Sequence, residues 1–168
     1  MKKQHTTDTI ELENKLQSWL SDARNVVVTG IGNPLRKDDF VGVKIVGNLH
    51  GKVSQLVYLI ECETVPESFI GPITKFKPTH ILLIDAGILN QKPGSSKLID
   101  PDQMATQTAI STHALPLQIF CKYLAKTTDA KIALLVIQPK DTSFGEGLTA
   151  ELKETEKHLT NLLSKSLP

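Results

Sequence analysis

Short apolar runs alternate along the chain with stretches in which apolar residues recur every three or four positions. Val26–Thr29, Gln55–Ile60, His80–Ile84 and Lys131–Ile137 are close to continuously apolar, the pattern of strands covered on both faces. Between them lie amphipathic segments. Asp8 can cap a helix with Glu11 three residues on, and Leu12, Leu16, Trp19, Leu20 and Ala23 form its stripe, predicting a helix over 8–23. Phe40–Leu49 carries Val41, Ile45 and Leu49 on one face, and a helical segment follows from about Glu67 to Lys75. Pro116 suits a first helical turn, so a further helix is expected from Thr112 to Lys126, with Leu115, Ile119, Phe120, Tyr123 and Leu124 inward. The last helix starts near Thr149 and buries Leu152, Thr155, Leu159, Leu162 and Leu163. Lys97–Ile99 is a short edge strand. This alternation predicts an α/β fold: a three-layer α/β/α sandwich around a mostly parallel, twisted sheet, in one domain over 1–168, with the first helix docked ahead of the first strand.

Composition narrows the function classes. The 19 basic and 18 acidic side chains are well mixed and leave a net charge of +1. There is no basic run to hold nucleic acid or a membrane surface. No apolar stretch approaches the roughly 20 residues of a membrane span, and the start lacks a signal-peptide core. A cytoplasmic monomer is the expectation. Cys62 and Cys121 show no metal or redox spacing and read as free thiols.

The stretch NVVVTGIGNPLRKDDFVG, 25–42, carries the chemistry. A β-branched run breaks at Gly30 and Gly32, Asn33-Pro34 sets a bend, and Asp38 and Asp39 precede a helix. Two acids before a helix can simply be caps. A dinucleotide or P-loop reading is disfavoured, because the third glycine and the Gly-Lys-Ser/Thr are missing and the acids would repel phosphate. Asp85 closes the third apolar run, and His113 stands where a later helix starts. In a parallel sheet these positions share the carboxyl edge. Two carboxylates and an imidazole suit a borderline divalent ion such as nickel or zinc, with positions left open. A Cys62 nucleophile paired with His113 is a weaker alternative, since no orienting partner can be named. There is no G-x-S-x-G elbow and no paired Asp-Thr/Ser-Gly, so serine-hydrolase and pepsin-like schemes find no support.

The segments GIGNPLRKDDFVG (30–42), LLIDAG (82–87) and STHALPL (111–117) resemble the signatures of the nickel–iron hydrogenase maturation endopeptidases. TVPESF (64–69) and VIQPKDTSFGEGLT (136–149) are most similar to the branch serving the hydrogenase of formate hydrogenlyase. The resemblance implies removal of a C-terminal extension from the hydrogenase large-subunit precursor once nickel is inserted. It implies that Asp39, Asp85 and His113 meet that nickel, with the metal carried by the substrate and no tightly bound cofactor of the enzyme's own. Nickel could polarise the scissile carbonyl or activate water, or an acid could be general base with nickel only positioning the tail. A non-catalytic nickel-binding assembly chaperone is the alternative from another class, and a small-molecule enzyme with an anion site at Gly30–Asn33 is a third. Relatives often carry a Gly-Gly-Thr/Ser turn where this chain has Cys62-Glu63-Thr64. Side chains with a Cβ resist positive φ, so a differently shaped loop is expected there.

Overall fold

The computed structural model describes the backbone of residues 2–105, 110–111 and 114–168, and the side chains of residues 9–103 and 117–168. In chain order, α1 is Lys2–Leu20, β1 Val26–Ile31, α2 Val41–Leu49, β2 Val57–Glu63, α3 Ile70–Phe76, β3 His80–Ile88, β4 Ser96–Ile99, β5 Ile110–Ser111, α4 Ala114–Thr127, β6 Lys131–Ile137 and α5 Ala150–Ser166. Short 3-10 turns at Lys37–Phe40 and Pro66–Phe69 lead directly into α2 and α3.

The strands lie in the order β2-β1-β3-β6-β4, with the two residues of β5 added to the end of β3. β1, β2, β3 and β6 run parallel, while β4 and β5 are antiparallel to their neighbours. Register aligns the amino ends, Val26 standing opposite both Val57 and His80, and His80 opposite Lys131. Alternate residues of each strand feed two cores. Val26, Val28, Leu82, Ile84 and Leu135 pack with α1, α2 and α5 through Leu12, Leu16, Ile45, Leu159 and Leu163. Val27, Ile31, Ile81, Leu83 and Leu134 pack on the other face with α3 and α4 through Ile73, Leu117, Phe120 and Leu124. This is the expected three-layer sandwich. Its consequence for function is topological. From β1 the chain passes through α2 to β2 on one side, then through α3 on the opposite face to β3 on the other side. The crevice at the carboxyl ends of β1 and β3 is therefore a switch point, where open α/β sheets build their sites.

Several local expectations need correction. The first helix begins at Lys2, so Asp8 lies inside it and does not cap it, and it ends at Leu20, leaving Ala23 beyond it. No Gly or Pro in residues 2–8 interrupts helical hydrogen bonding. On α4 the buried stripe is Leu117, Phe120, Cys121 and Leu124, at spacings of three and four, while Ile119 is 63% and Tyr123 50% exposed. The helix is rotated so that the smaller Cys121 packs where Ile119 was expected; Leu115 lies outside the described side chains. Thr155 of α5 is only half-buried. Its neighbour Glu156 is buried instead, accepting hydrogen bonds from Asn48 at 2.8 Å and Thr160 at 2.9 Å. β3 continues past Asp85, because β6 accompanies it to Ala86 and β5 pairs with Gly87 and Ile88.

Candidate active site

Asp38 and Asp39 are adjacent and both buried, yet they do different work. Asp38 is a clamp. Its Oδ1 accepts the Thr149 amide at 2.7 Å, and its Oδ2 accepts the amides of Lys140 and Asp141 and the Thr149 hydroxyl, each at 3.0 Å. All four donors come from the loop between β6 and α5. A second strap joins the same segments: Lys37 donates its backbone amide to Gly145 and its ammonium to Asp141 and Ser143. Lys37 and Ser143 together hold the Asp141 carboxyl well below the usual carboxylate range. Lys37 itself sits at φ +42, a conformation tolerated because both neighbours over-determine it.

Asp39 takes no part in that clamp. Its Oδ2 accepts the Asn33 amide at 2.9 Å, tying it back to the bend that follows β1. Gly32, at φ +141, allows this fold-back, since a Cβ there would stand 1.8 Å from the Asp39 carbonyl oxygen. Gly42 opens α2 equally close to β3; a Cβ there would fall 2.1 Å from the carbonyl oxygen of Ile84. The glycines read as too few for a nucleotide fingerprint thus serve close approach of backbone to backbone. They land the turn carrying Asp39 against the residue that precedes Asp85.

Pairing between β1 and β3 ends at Gly30 and Ile84, so Asp85 is the first residue of β3 beyond β1. It is fully buried among apolar strand residues. A carboxylate at the carboxyl edge of a parallel sheet stands where such folds build their sites. Asp39, on the turn after β1, and Asp85, in β3 just beyond the end of β1, therefore lie at the same carboxyl edge of the sheet. His113 lies outside the described residues; α4, which it would precede, starts at this same edge. Among the described residues no three His, Cys, Asp or Glu side chains form a metal-binding group.

Cys62 occupies a bulge. Gly30 pairs with Glu61 and Ile31 with Glu63, leaving Cys62 as the extra residue of β2. Its thiol is free and buried, and burial, helped by the charge of Glu67, pushes its pKa up to about 12. A thiol so placed is neutral at physiological pH, which removes the activation a nucleophile needs. Glu63 adopts φ +50 despite its Cβ, and its carbonyl accepts the Gly32 amide at 2.9 Å. Glu63 thus adopts the positive φ that a Cβ resists, in a turn bonded to Gly32. The clamp role of Asp38 was invisible in the sequence, its partners being more than a hundred positions away.

Comparison with known proteins gives a consistent result. The family model described as hydrogenase maturation protease matches residues 43–166. A Methanocaldococcus jannaschii chain named for the same family is 36% identical over 160 residues, 90% of this chain and 94% of that one. The hydrogenase 3 maturation protease of Escherichia coli K12 is 28% identical over 128 residues, 76% of this chain and 81% of its own. Among solved structures, the [NiFe] hydrogenase maturation protease HycI from Thermococcus kodakarensis superposes with a TM-score of 0.83 at 32% identity, covering 90% of this chain and 97% of that one.

Proposed function

The chain belongs to the hydrogenase maturation protease family, and from that premise we propose that it is the endopeptidase that removes the C-terminal extension of a nickel-loaded hydrogenase large-subunit precursor. The observation that carries the site assignment is the division of labour in the acid pair. Asp38 is committed to the β6–α5 loop, whereas Asp39 is bonded back to the bend after β1, at the same sheet edge as Asp85. With His113 as third donor, two carboxylates and an imidazole match the ligand preferences of nickel. The metal arrives as part of the substrate, so these residues act as a probe of whether insertion is complete. Hydrolysis then proceeds on the tail held beside them, with water as nucleophile. The neutral, buried Cys62 thiol speaks against a covalent route. The hydrogenase of a formate-hydrogenlyase-type complex is the proposed source of the precursor, in line with the similarity to the hydrogenase 3 protease of E. coli.

The test is incubation of purified protein with nickel-loaded and nickel-free precursor, reading tail release by mass. Release only from the loaded form is expected, and Asp39→Asn and Asp85→Asn should each abolish it. Binding without release would make the protein an assembly chaperone instead. Processing by Asp85→Asn at the wild-type rate would remove that residue from the site.

A further inference from the structure

Eight large apolar side chains among the described residues are exposed, and four of them lie on segments at the carboxyl edge of the sheet. Among the described residues, Leu35, Val65, Ile88 and Phe144 are all more than 40% exposed. Leu35, Val65 and Phe144 follow the carboxyl ends of β1, β2 and β6, and Ile88 ends β3. All four therefore belong to segments that leave the carboxyl edge of the sheet, the edge of Asp39 and Asp85. Phe144 is the extreme case at 82% exposed.

A solvent-facing phenylalanine on a slack loop would mean little, but this loop is pinned from both sides. The Asp38 clamp fixes residues 140, 141 and 149. Lys37 holds Asp141 and Ser143, and the Arg36 guanidinium donates to the Thr142 carbonyl at 3.1 Å. Directly beside the aromatic, Gly145 donates to the Leu35 carbonyl at 2.8 Å and accepts from the Lys37 amide at 2.9 Å. Leu35 and Phe144 are thereby carried on two backbone segments hydrogen-bonded to each other. A large apolar side chain carried on a backbone already held in place leaves less entropy to lose on association than one on a slack loop, which is one way binding hot spots are prepared.

We propose that Phe144, with Leu35 beside it, is the apolar anchor through which this protein captures the folded body of its precursor substrate. This rests on the peptidase reading above. A folded protein is the occupant the surface favours. Phe144 is 82% exposed and so offers a small molecule little enclosure. Its loop is clamped by Asp38, next in the chain to the Asp39 of a site whose proposed substrate is the end of a protein chain. Anchoring the body beside the acids leaves the tail free to reach them, so the anchor governs affinity and leaves the chemical step alone.

The experiment compares wild type, Phe144→Ser, Phe144→Leu and Leu35→Ser with nickel-loaded precursor, measuring Kd by surface binding, KM and kcat of tail release, the melting temperature and the sedimentation coefficient. Phe144→Ser should raise Kd and KM about tenfold or more with kcat changed by less than about twofold, while Phe144→Leu retains most of the affinity. Melting temperatures should match, since the ring buries little in the free protein. Unchanged Kd and KM in Phe144→Ser overturn the inference, as does a serine variant that only converts a dimer of this chain to monomers. If wild type binds precursor without releasing the tail, the peptidase reading fails and the same Kd comparison still judges the anchor.

Discussion

Asp38 and Asp39 differ by one position and should respond to the same substitution in opposite ways. Asn at 38 offers a single acceptor where four donors converge, and its amide hydrogens face amides. Asp38→Asn is expected to cost about 2–3 kcal/mol of stability, read by urea unfolding, and to lower activity only through loosening of the loop. Asn at 39 still accepts the Asn33 amide, so Asp39→Asn should lose tail release with a much smaller stability change. Reversed outcomes would mean that the roles of the pair are exchanged. Cys62→Ala separates packing from catalysis. It deletes one buried sulfur, a loss of about 1 kcal/mol. Tail release should stay within about tenfold of wild type, equivalent to some 1.4 kcal/mol in the barrier. Complete loss of cleavage in a folded variant would restore the thiol as nucleophile.

Helix α1 is fastened at two levels. Leu12, Leu16 and Leu20 enter the core shared with α2 and α5. At its end the Trp19 and His80 rings pack nearly perpendicular, with centroids 4.8 Å apart, while Lys131 pairs with Asp22 at 2.7 Å. His80 is 1% exposed; its Nδ1 lies 3.0 Å from the Thr79 hydroxyl and its Nε2 3.4 Å from Asp22. Burial lowers its pKa, and Lys131 adds to this, while Asp22 and a hydrogen bond donated by the ring to the Trp19 backbone carbonyl oppose it. The unfolded chain protonates this imidazole near pH 6.5, the folded one only at lower pH, so the unfolded state binds the extra proton in between. Stability should be insensitive to His80 above about pH 6.5 and decline as pH falls below it. Replacing His80 by Phe should flatten that part of the melting-temperature profile between pH 7 and pH 5. A wild-type slope that persists in the variant would locate the effect elsewhere.

Across the whole molecule, one question is whether α1 is an appendage or part of the cooperative unit. Its leucines touch the same cluster as Val28, Ile45, Leu135 and Leu159, contributed by four other elements. Trp19 is the chain's single tryptophan and reports on α1 alone, whereas far-UV circular dichroism reports on every helix and strand. Shared burial predicts that the two signals trace one urea transition with a common midpoint. An earlier fluorescence transition would show α1 peeling away first. No helix among the described residues is long and apolar enough to cross a membrane, consistent with helices that bury a single stripe each.

The alternation of apolar runs and amphipathic stripes was enough to determine the element order, the parallel strands and the layers, because burial on two faces leaves a continuous apolar run and burial on one face leaves a period. It also determined that Asp39 and Asp85 would share an edge, since carboxyl ends of parallel strands coincide whatever the details. What lay beyond it depends on contacts between distant residues. The commitment of Asp38 needs the amides at 140, 141 and 149, and the positive φ of Glu63 needs a hydrogen bond from Gly32. The rotation that turned Ile119 and Tyr123 outward needed the facing strands as well, because both residues fit a helical stripe equally well before those strands select one side. Local pattern settles which elements form. Only the packed tertiary structure decides which of two neighbouring acids holds the β6–α5 loop and which is bonded back to the bend after β1.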